Sequence, residues 1–236
     1  MTRDLVYGRR PVREAVRGPR EVLELWASER AIRSEAWLSE LERPRVQTKL
    51  ERDLSEAAGT RDHQGIVAWC EPFRYAEATE LVAGAVPLIA CLDQVSDPRN
   101  LGAVIRSAEG AGASGVVVPA RGSARVTAAV CRASAGAAEH LPVAVVPNLA
   151  RYLAELKRGD LWVVAATGGS GTPLWQADLS GGIAFVLGAE GKGLRPLVRR
   201  TCDLEVSIPQ LGRVESLNVS VAAALLLYEA RRQRGG

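Results

Sequence analysis

Residues 205–232 read EVSIPQLGRVESLNVSVAAALLLYEARR, and the two halves of this stretch follow different periods. Val206 and Ile208 alternate as a strand does, Pro209 and Gly212 turn the chain, and Val219, Ala222, Ala223, Leu226 and Leu227 recur at helical spacing. Ser216 is the expected helix cap. Glu215, Ser216, Asn218 and Ser220 crowd the start of a helix whose body suits a core. Free N–H groups at a helix start, beside an amide and a hydroxyl, can hold a polar ligand; a capped helix with a satisfied Asn is the plainer reading.

Working outward from that turn, the chain from Pro87 onward alternates short apolar runs with helical patterns, which predicts an α/β fold: a parallel sheet with helices on both faces. The expected strands are Leu88–Leu92, Val116–Val118, Val143–Val146, Leu161–Ala165, Ile183–Leu187 and Leu204–Ile208. The expected helices are Leu101–Ala111, Val126–Ala138, Leu149–Lys157, Arg195–Arg200 and Ser216–Arg232. Strands that are nearly continuous apolar runs belong to a sheet covered on both sides.

Residues 1 to about 75 read as a separate small α/β unit. Helices are expected at Tyr7–Arg17, Ile32–Leu41 and Lys49–Ala58, with strands at Val22–Trp26 and Gly65–Trp69. Pro72–Gly84, rich in Glu and Ala, is the expected linker region, bounded as 76–84 between a first domain of 1–75 and a second of 85–236. Arg9, Arg10, Arg13, Arg17 and Arg20 fall close together and suit RNA phosphates, although Glu14, Glu21 and Glu24 interleave them as on a solvated, salt-bridged face.

The 236 residues carry a formal charge of +3, too mild to show a nucleic-acid partner by itself. Cys70, Cys91, Cys131 and Cys202 are scattered, and His63 and His140 stand alone, so neither a disulfide framework nor a metal site is expected. The charged amino terminus and the short apolar run near Val219–Tyr228 imply no signal peptide and no membrane span; a cytoplasmic protein is the expectation.

In sheets of this kind ligands sit beyond the carboxyl ends of the strands. There the chain places DQVSDPRNLGAVIRSAEGAGA (93–113), ATGGSGTPLW (166–175) and LGAEGKGLRP (187–196). No GxGxxG is present, and Gly191-Lys192-Gly193 lacks the Ser or Thr of a P-loop, which disfavours dinucleotide and ATP binding. Asn100, Arg106, Glu190, Ser216 and Asn218 are the reactive groups left at these turns. Arg106 has a plainer reading too, as the helical partner of Glu109.

DQVSDPRNLGAVIRSAEGAGA, FVLGAEGKGL and SIPQLGRVESLNVSVAAALLLYEA resemble, in order and spacing, the three signature motifs of the SpoU (TrmH-like) RNA ribose 2′-O-methyltransferases of the SPOUT superfamily. RASAGAAEHLPV (132–143) is similar to the segment between the first two. The resemblance covers about residues 85–236. YGRRPVREAVR and HQGIVAW are similar to the small substrate-binding domain of the RlmB-like branch.

The resemblance implies a knotted methyltransferase domain at 85–236 with a carboxyl-terminal trefoil knot, S-adenosylmethionine as cofactor, RNA as substrate and a homodimer. It implies cofactor contacts at Thr167, Gly168, Leu187, Gly188, Ile208, Leu217 and Asn218. Asn100, Arg106, Glu190 and Asn218 match the catalytic positions, and Arg9, Arg10, Arg13 and Arg106 are the implied RNA contacts. The family's proposed base is Arg106, but a guanidinium stays protonated in proteins. Fixing a phosphate and stabilising a developing alkoxide suits it better, with the proton lost to water or to a transiently neutral arginine. The implied reaction is ribose 2′-O-methylation of a large-subunit rRNA guanosine. The alternatives are a tRNA methylase, a resistance-type rRNA adenosine methylase, or an RNA-binding protein without catalysis.

Overall fold

The computed structural model describes residues 2–159, 161–214 and 216–235. Glu215, counted above among the polar residues of the turn, lies outside them. The chain forms two compact units, and they are not consecutive in sequence. One consists of Met1–Arg74 with Arg125–His140, the other of Tyr75–Ala124 with Leu141–Gly236.

The first unit contains β1 (Asp4–Tyr7), α1 (Arg9–Arg17), β2 (Val22–Ala27), α2 (Glu29–Ser34), α3 (Ala36–Ser39), β3 (Val46–Thr48), α4 (Glu51–Ala58) and β4 (Ile66–Cys70). Its sheet has the order β1-β4-β2-β3, with β4 antiparallel to both neighbours and β2 parallel to β3. Val6, Leu25, Ala27, Ile66 and Ala68 are buried within it. The polar, three-residue β3 and the terminal β1 carry too little periodicity to be read from sequence.

Residues 125–140, expected as part of the second domain, pack into this first unit. The expected helix Val126–Ala138 is shorter, Ala128–Ala133, because Ala135 (φ 52°) and Gly136 (φ 91°) break it. Gly136 lies so close to α1 that a Cβ there would meet the Glu14 Cβ at 2.6 Å and the Pro11 Cα at 3.2 Å. Arg20, 6% exposed, donates to both carboxylate oxygens of Glu139 at 2.5 and 2.9 Å and to the Glu71 carbonyl at 3.1 Å, and its guanidinium stacks on Phe73. Arg20 was expected on a basic surface. It is the buried partner of a carboxylate instead, which is how a desolvated charge is tolerated.

The second unit contains β5 (Leu88–Asp93), α5 (Pro98–Gly110) and β6 (Gly115–Pro119). After the excursion that includes the helix just described, now α6, come β7 (Val143–Val146), α7 (Leu149–Leu156), β8 (Trp162–Thr167), β9 (Thr172–Pro173), β10 (Ile183–Gly188), α8 (Pro196–Thr201), β11 (Leu204–Ser207) and α9 (Val219–Gln233). Its seven strands are all parallel in the order β7-β6-β5-β10-β8-β11-β9.

One face, with Ile89, Cys91, Val117 and Val186, packs on α7 and on Val198 of α8. The alternate residues Leu88, Ala90, Leu92 and Phe185 are also 2% exposed or less, and α5 and α9 pack on each other and on β5, α9 on β10 as well. The six expected strands are present within one or two residues. The expected linker is not free chain: Ala76 bridges to Ala144, and Leu81, 2% exposed, fills the space beside Gly115.

Candidate active site

Three segments that leave the carboxyl ends of β5, β10 and β11 meet. Asp97 caps α5 by accepting from the Arg99 N–H at 2.8 Å, with Pro98 at the first turn, and this sets Asn100 in the exposed opening of the helix. After β10 the chain folds back on itself: the Gly193 N–H donates to the Ala189 carbonyl at 2.9 Å, with Gly191 at φ 74° and Gly193 at φ 65°. A Cβ on Gly188 would collide with the Gly193 backbone, so this return is open only to glycine. Glu190 stands at its tip. The third segment ends at Asn218, which caps α9 by accepting from the Ser220 N–H at 2.8 Å. The cap is therefore Asn218 and not Ser216.

Asn100, Glu190 and Asn218 form one hydrogen-bonded group. Glu190 Oε1 accepts from Asn100 Nδ2 at 2.9 Å and from Asn218 Nδ2 at 2.6 Å, and Asn218 Nδ2 also donates to Asn100 Oδ1 at 3.0 Å. The Val219 N–H completes the set at 3.4 Å. These contacts span 90 and 118 residues of sequence and fix the three turns to one another. The group faces solvent, so each bond contributes about 0.5–1.5 kcal/mol and its value is positional.

Beside it lies a cavity of about 430 Å3. Thr167, Gly168, Leu187, Gly188, Ile208 and Leu217 all line it, drawn from four chain passages. Asn218 does not; its side chain is turned to Asn100 and Glu190. The lining holds Glu190 and, among the described residues, no arginine or lysine.

One stabilising residue escaped the sequence reading. Asp93, 0% exposed at the end of β5, accepts from the Arg195 backbone N–H and from its Nε, both at 2.8 Å, with Nη2 at 2.7 Å from Oδ1. It pins the far end of the Gly188–Leu194 return. An aspartate ending an apolar strand reads as the first polar residue of a loop, and the burial that gives it a role is invisible in sequence.

Comparisons with known proteins decide the family. The model of the SpoU rRNA methylase family matches residues 87–228, and that of the RNA 2′-O ribose methyltransferase substrate-binding domain matches residues 5–76. The chain belongs to the SpoU rRNA methylase family. Members of this family are S-adenosylmethionine-dependent RNA ribose 2′-O-methyltransferases, and this chain is one of them.

Among its relatives, the 23S rRNA (guanosine-2′-O-)-methyltransferase RlmB of Shewanella oneidensis is 40% identical, over 98% of this chain and 98% of that protein. An uncharacterised tRNA/rRNA methyltransferase of Synechocystis is 38% identical over 98% of this chain, which spans only 63% of that longer relative. The SpoU methyltransferase AviRb of Streptomyces viridochromogenes, solved in complex with AdoMet, superposes with a TM-score of 0.84 at 27% identity, over 99% of this chain and 91% of that one.

For a SpoU methylase the cavity has the right chemistry. Leu187, Ile208 and Leu217 offer apolar walls to a purine, and Thr167, Gln210 and Ser216 offer hydroxyl and amide groups to a ribose and an amino-acid tail. A phosphate-bearing cofactor calls for cations, which the described lining lacks, whereas a cationic sulfonium suits a pocket where Glu190 is the one charged residue among the described lining.

Arg106 is exposed on α5, outside the lining of this cavity, and has no hydrogen-bond or ion-pair partner among the described residues; the alternative reading, a pair with Glu109 along the helix, is not what the structure has. In the first unit, Arg10 and Arg13 are exposed and likewise unpartnered among the described residues. Arg9 is already committed to Glu35 at 3.1 Å and to the Gln64 carbonyl at 3.4 Å. The cysteines offer no ready nucleophile, since burial pushes the Cys70, Cys131 and Cys202 thiols up to about 12.

Proposed function

We propose that this chain methylates the ribose 2′-oxygen of a guanosine in 23S rRNA, working as a homodimer with its carboxyl-terminal segment knotted. The observation that carries the site is the joining of Asn100, Glu190 and Asn218 at the rim of a cavity that holds no arginine or lysine among its described lining residues. The rRNA guanosine is supported by the Shewanella RlmB, which this chain matches over nearly the full length of both proteins. Exposed Leu211, Val214, Val221 and Tyr228, on and before α9, supply the apolar surface a homodimer would cover.

The cofactor, when bound, supplies an electrophilic methyl group, so the protein has to orient the ribose and manage charge. Asn100 and Asn218, locked by Glu190, hold amide groups at the cavity rim where they align the acceptor sugar. Arg106, exposed and unpaired, holds the neighbouring phosphate and stabilises the oxygen as its proton leaves to water. Arg10 and Arg13 bind RNA phosphates.

The test is methyl transfer to 23S rRNA from cells lacking the gene, with the modified nucleotide mapped. Arg106→Lys should leave S-adenosylhomocysteine affinity unchanged and lower turnover at least about tenfold, because an ammonium lacks the bidentate fork. Transfer to tRNA alone would reject the rRNA assignment, and RNA binding without cofactor affinity would reject the enzyme.

A further inference from the structure

A second cavity, also of about 430 Å3, adjoins the first and shares Ala189, Glu190 and Val219 with it. Its remaining walls include Gln94, Ser96, Asp97, Asn100, Gly122 and Lys192, all within the second compact unit. Asn100 lines only this cavity and Glu190 lines both, so the hydrogen-bonded group of the active site forms the partition between them.

Two polar groups in the second cavity make no hydrogen bond or ion pair among the described residues. Gln94 directly follows β5 with a left-handed backbone (φ 62°), an unusual conformation for a residue with a side chain. Its side chain is half-buried and lies over Gly122, where a Cβ would come within 3.2 Å of Nε2. The Gln94 amide nevertheless has no hydrogen-bond partner among the described residues, and neither does the exposed Lys192 ammonium. This amide, held at a strand end and open to the cavity, bonds to no protein group among the described residues, so a ligand can take its hydrogen bonds without breaking any within the fold.

We propose that the second cavity receives the base of the acceptor nucleotide, a guanine taken out of its stack, and that Gln94 and Lys192 read its edge. This rests on the methyltransferase reading of the first cavity. With the methyl donor there and the 2′-oxygen at the partition, the base extends to the other side of the sugar, and the second cavity is the space on that side. A pocket of this size takes one nucleotide and not a stacked pair, so the acceptor lies in a loop or is flipped out of its helix. The amide of Gln94 offers one acceptor and one donor side by side, matching guanine N1–H and O6. It can match adenine by turning over, so it does not discriminate alone. Lys192 only donates: it suits the O6 and N7 acceptors of guanine and opposes the adenine amino group.

The experiment uses the full-length protein and two 23S rRNA transcripts, one with the mapped acceptor guanosine and one with adenosine in its place. For wild type, Gln94→Ala and Lys192→Ala, three quantities are measured: kcat/KM on each transcript, transcript affinity with S-adenosylhomocysteine present, and S-adenosylhomocysteine affinity by calorimetry. Gln94→Ala should lower kcat/KM and transcript affinity for the guanosine transcript about tenfold or more, and Lys192→Ala should narrow the guanosine-over-adenosine preference by a similar factor. Cofactor affinity should be unchanged in both.

A wild-type preference retained in both variants overturns the proposal, as does loss of cofactor affinity in Gln94→Ala, which would make the residue a support of the first cavity. If Gln94→Ala does not fold, Lys192→Ala decides alone, since a solvent-exposed ammonium can be removed without unfolding the chain. Wild-type protein that binds no S-adenosylhomocysteine removes the underlying reading, and the proposal with it; wild-type turnover with an unchanged preference in the variants removes only the proposal.

Discussion

Single residues hold the glycine-framed return after β10 at both ends. At its start, Gly188 touches the Gly193 backbone so closely that any side chain forces the strand end and the turn apart. Gly188→Ala should weaken S-adenosylhomocysteine binding more than about tenfold in calorimetry, through a displaced cavity wall and without loss of the core. At its end, buried Asp93 grips Arg195. Asp93→Ala removes a charge-assisted bond and frees a backbone N–H, but the Arg195 side chain is 42% exposed and can turn to water. The expected loss is about 1–3 kcal/mol in chemical denaturation, together with reduced turnover because Glu190 loses its fixed platform.

At the scale of elements, α9 joins the site to the sheet. Its opening carries Asn218, its middle buries Ala223, Leu226 and Leu227, and its end holds a compact charged group. There Glu229 accepts from Arg232 at 2.8 and 2.9 Å and from Gln233 at 2.8 Å. These bonds, that from Arg232 first, hold the Glu229 carboxyl at about 2, below its ordinary 4.5. A folded-state value below the unfolded one stabilises the fold above about pH 4.5, and this contribution fades as pH falls toward 2. Glu229→Gln should therefore flatten the acid limb of a plot of melting temperature against pH in that window. If mutant and wild type lose stability in parallel, the carboxylate is not linked to folding.

The apolar periods of α5, α9 and the six long strands were legible in sequence because each buries a continuous face. Gln94, Asp93 and Lys192 were not, since their significance comes from burial and neighbours that no local pattern encodes. The cap of α9 was misplaced by two residues for a related reason: Ser216 and Asn218 are both good caps, and the bonds of Asn218 to Asn100 and Glu190, distant in sequence, decide between them.

For the whole molecule, the cut at the Glu- and Ala-rich stretch was the natural reading of composition, yet residues 125–140 cross it. A sequence pattern reports which residues want burial and not which unit buries them. A fragment of residues 85–236 would strip Val130, Cys131, Ala138 and Glu139 of their cover. Trypsin should then cut this fragment at Arg132 much faster than it cuts the full-length chain; equal rates would show that the segment folds without the first unit. Within that unit, Glu139→Ala leaves the buried Arg20 with only the Asp4 carboxylate at 3.5 Å to face its charge, and should cost about 3 kcal/mol in denaturant unfolding.

The Arg20–Glu139 pair also bears on how the nascent chain matures. Its two members leave the ribosome 119 residues apart, so at about 5–20 residues per second the guanidinium waits about 6 to 24 s for its carboxylate. The amino-terminal unit, although made first, is completed only during synthesis of the second one, and a pause in translation before residue 140 would prolong the exposure of its unfinished core.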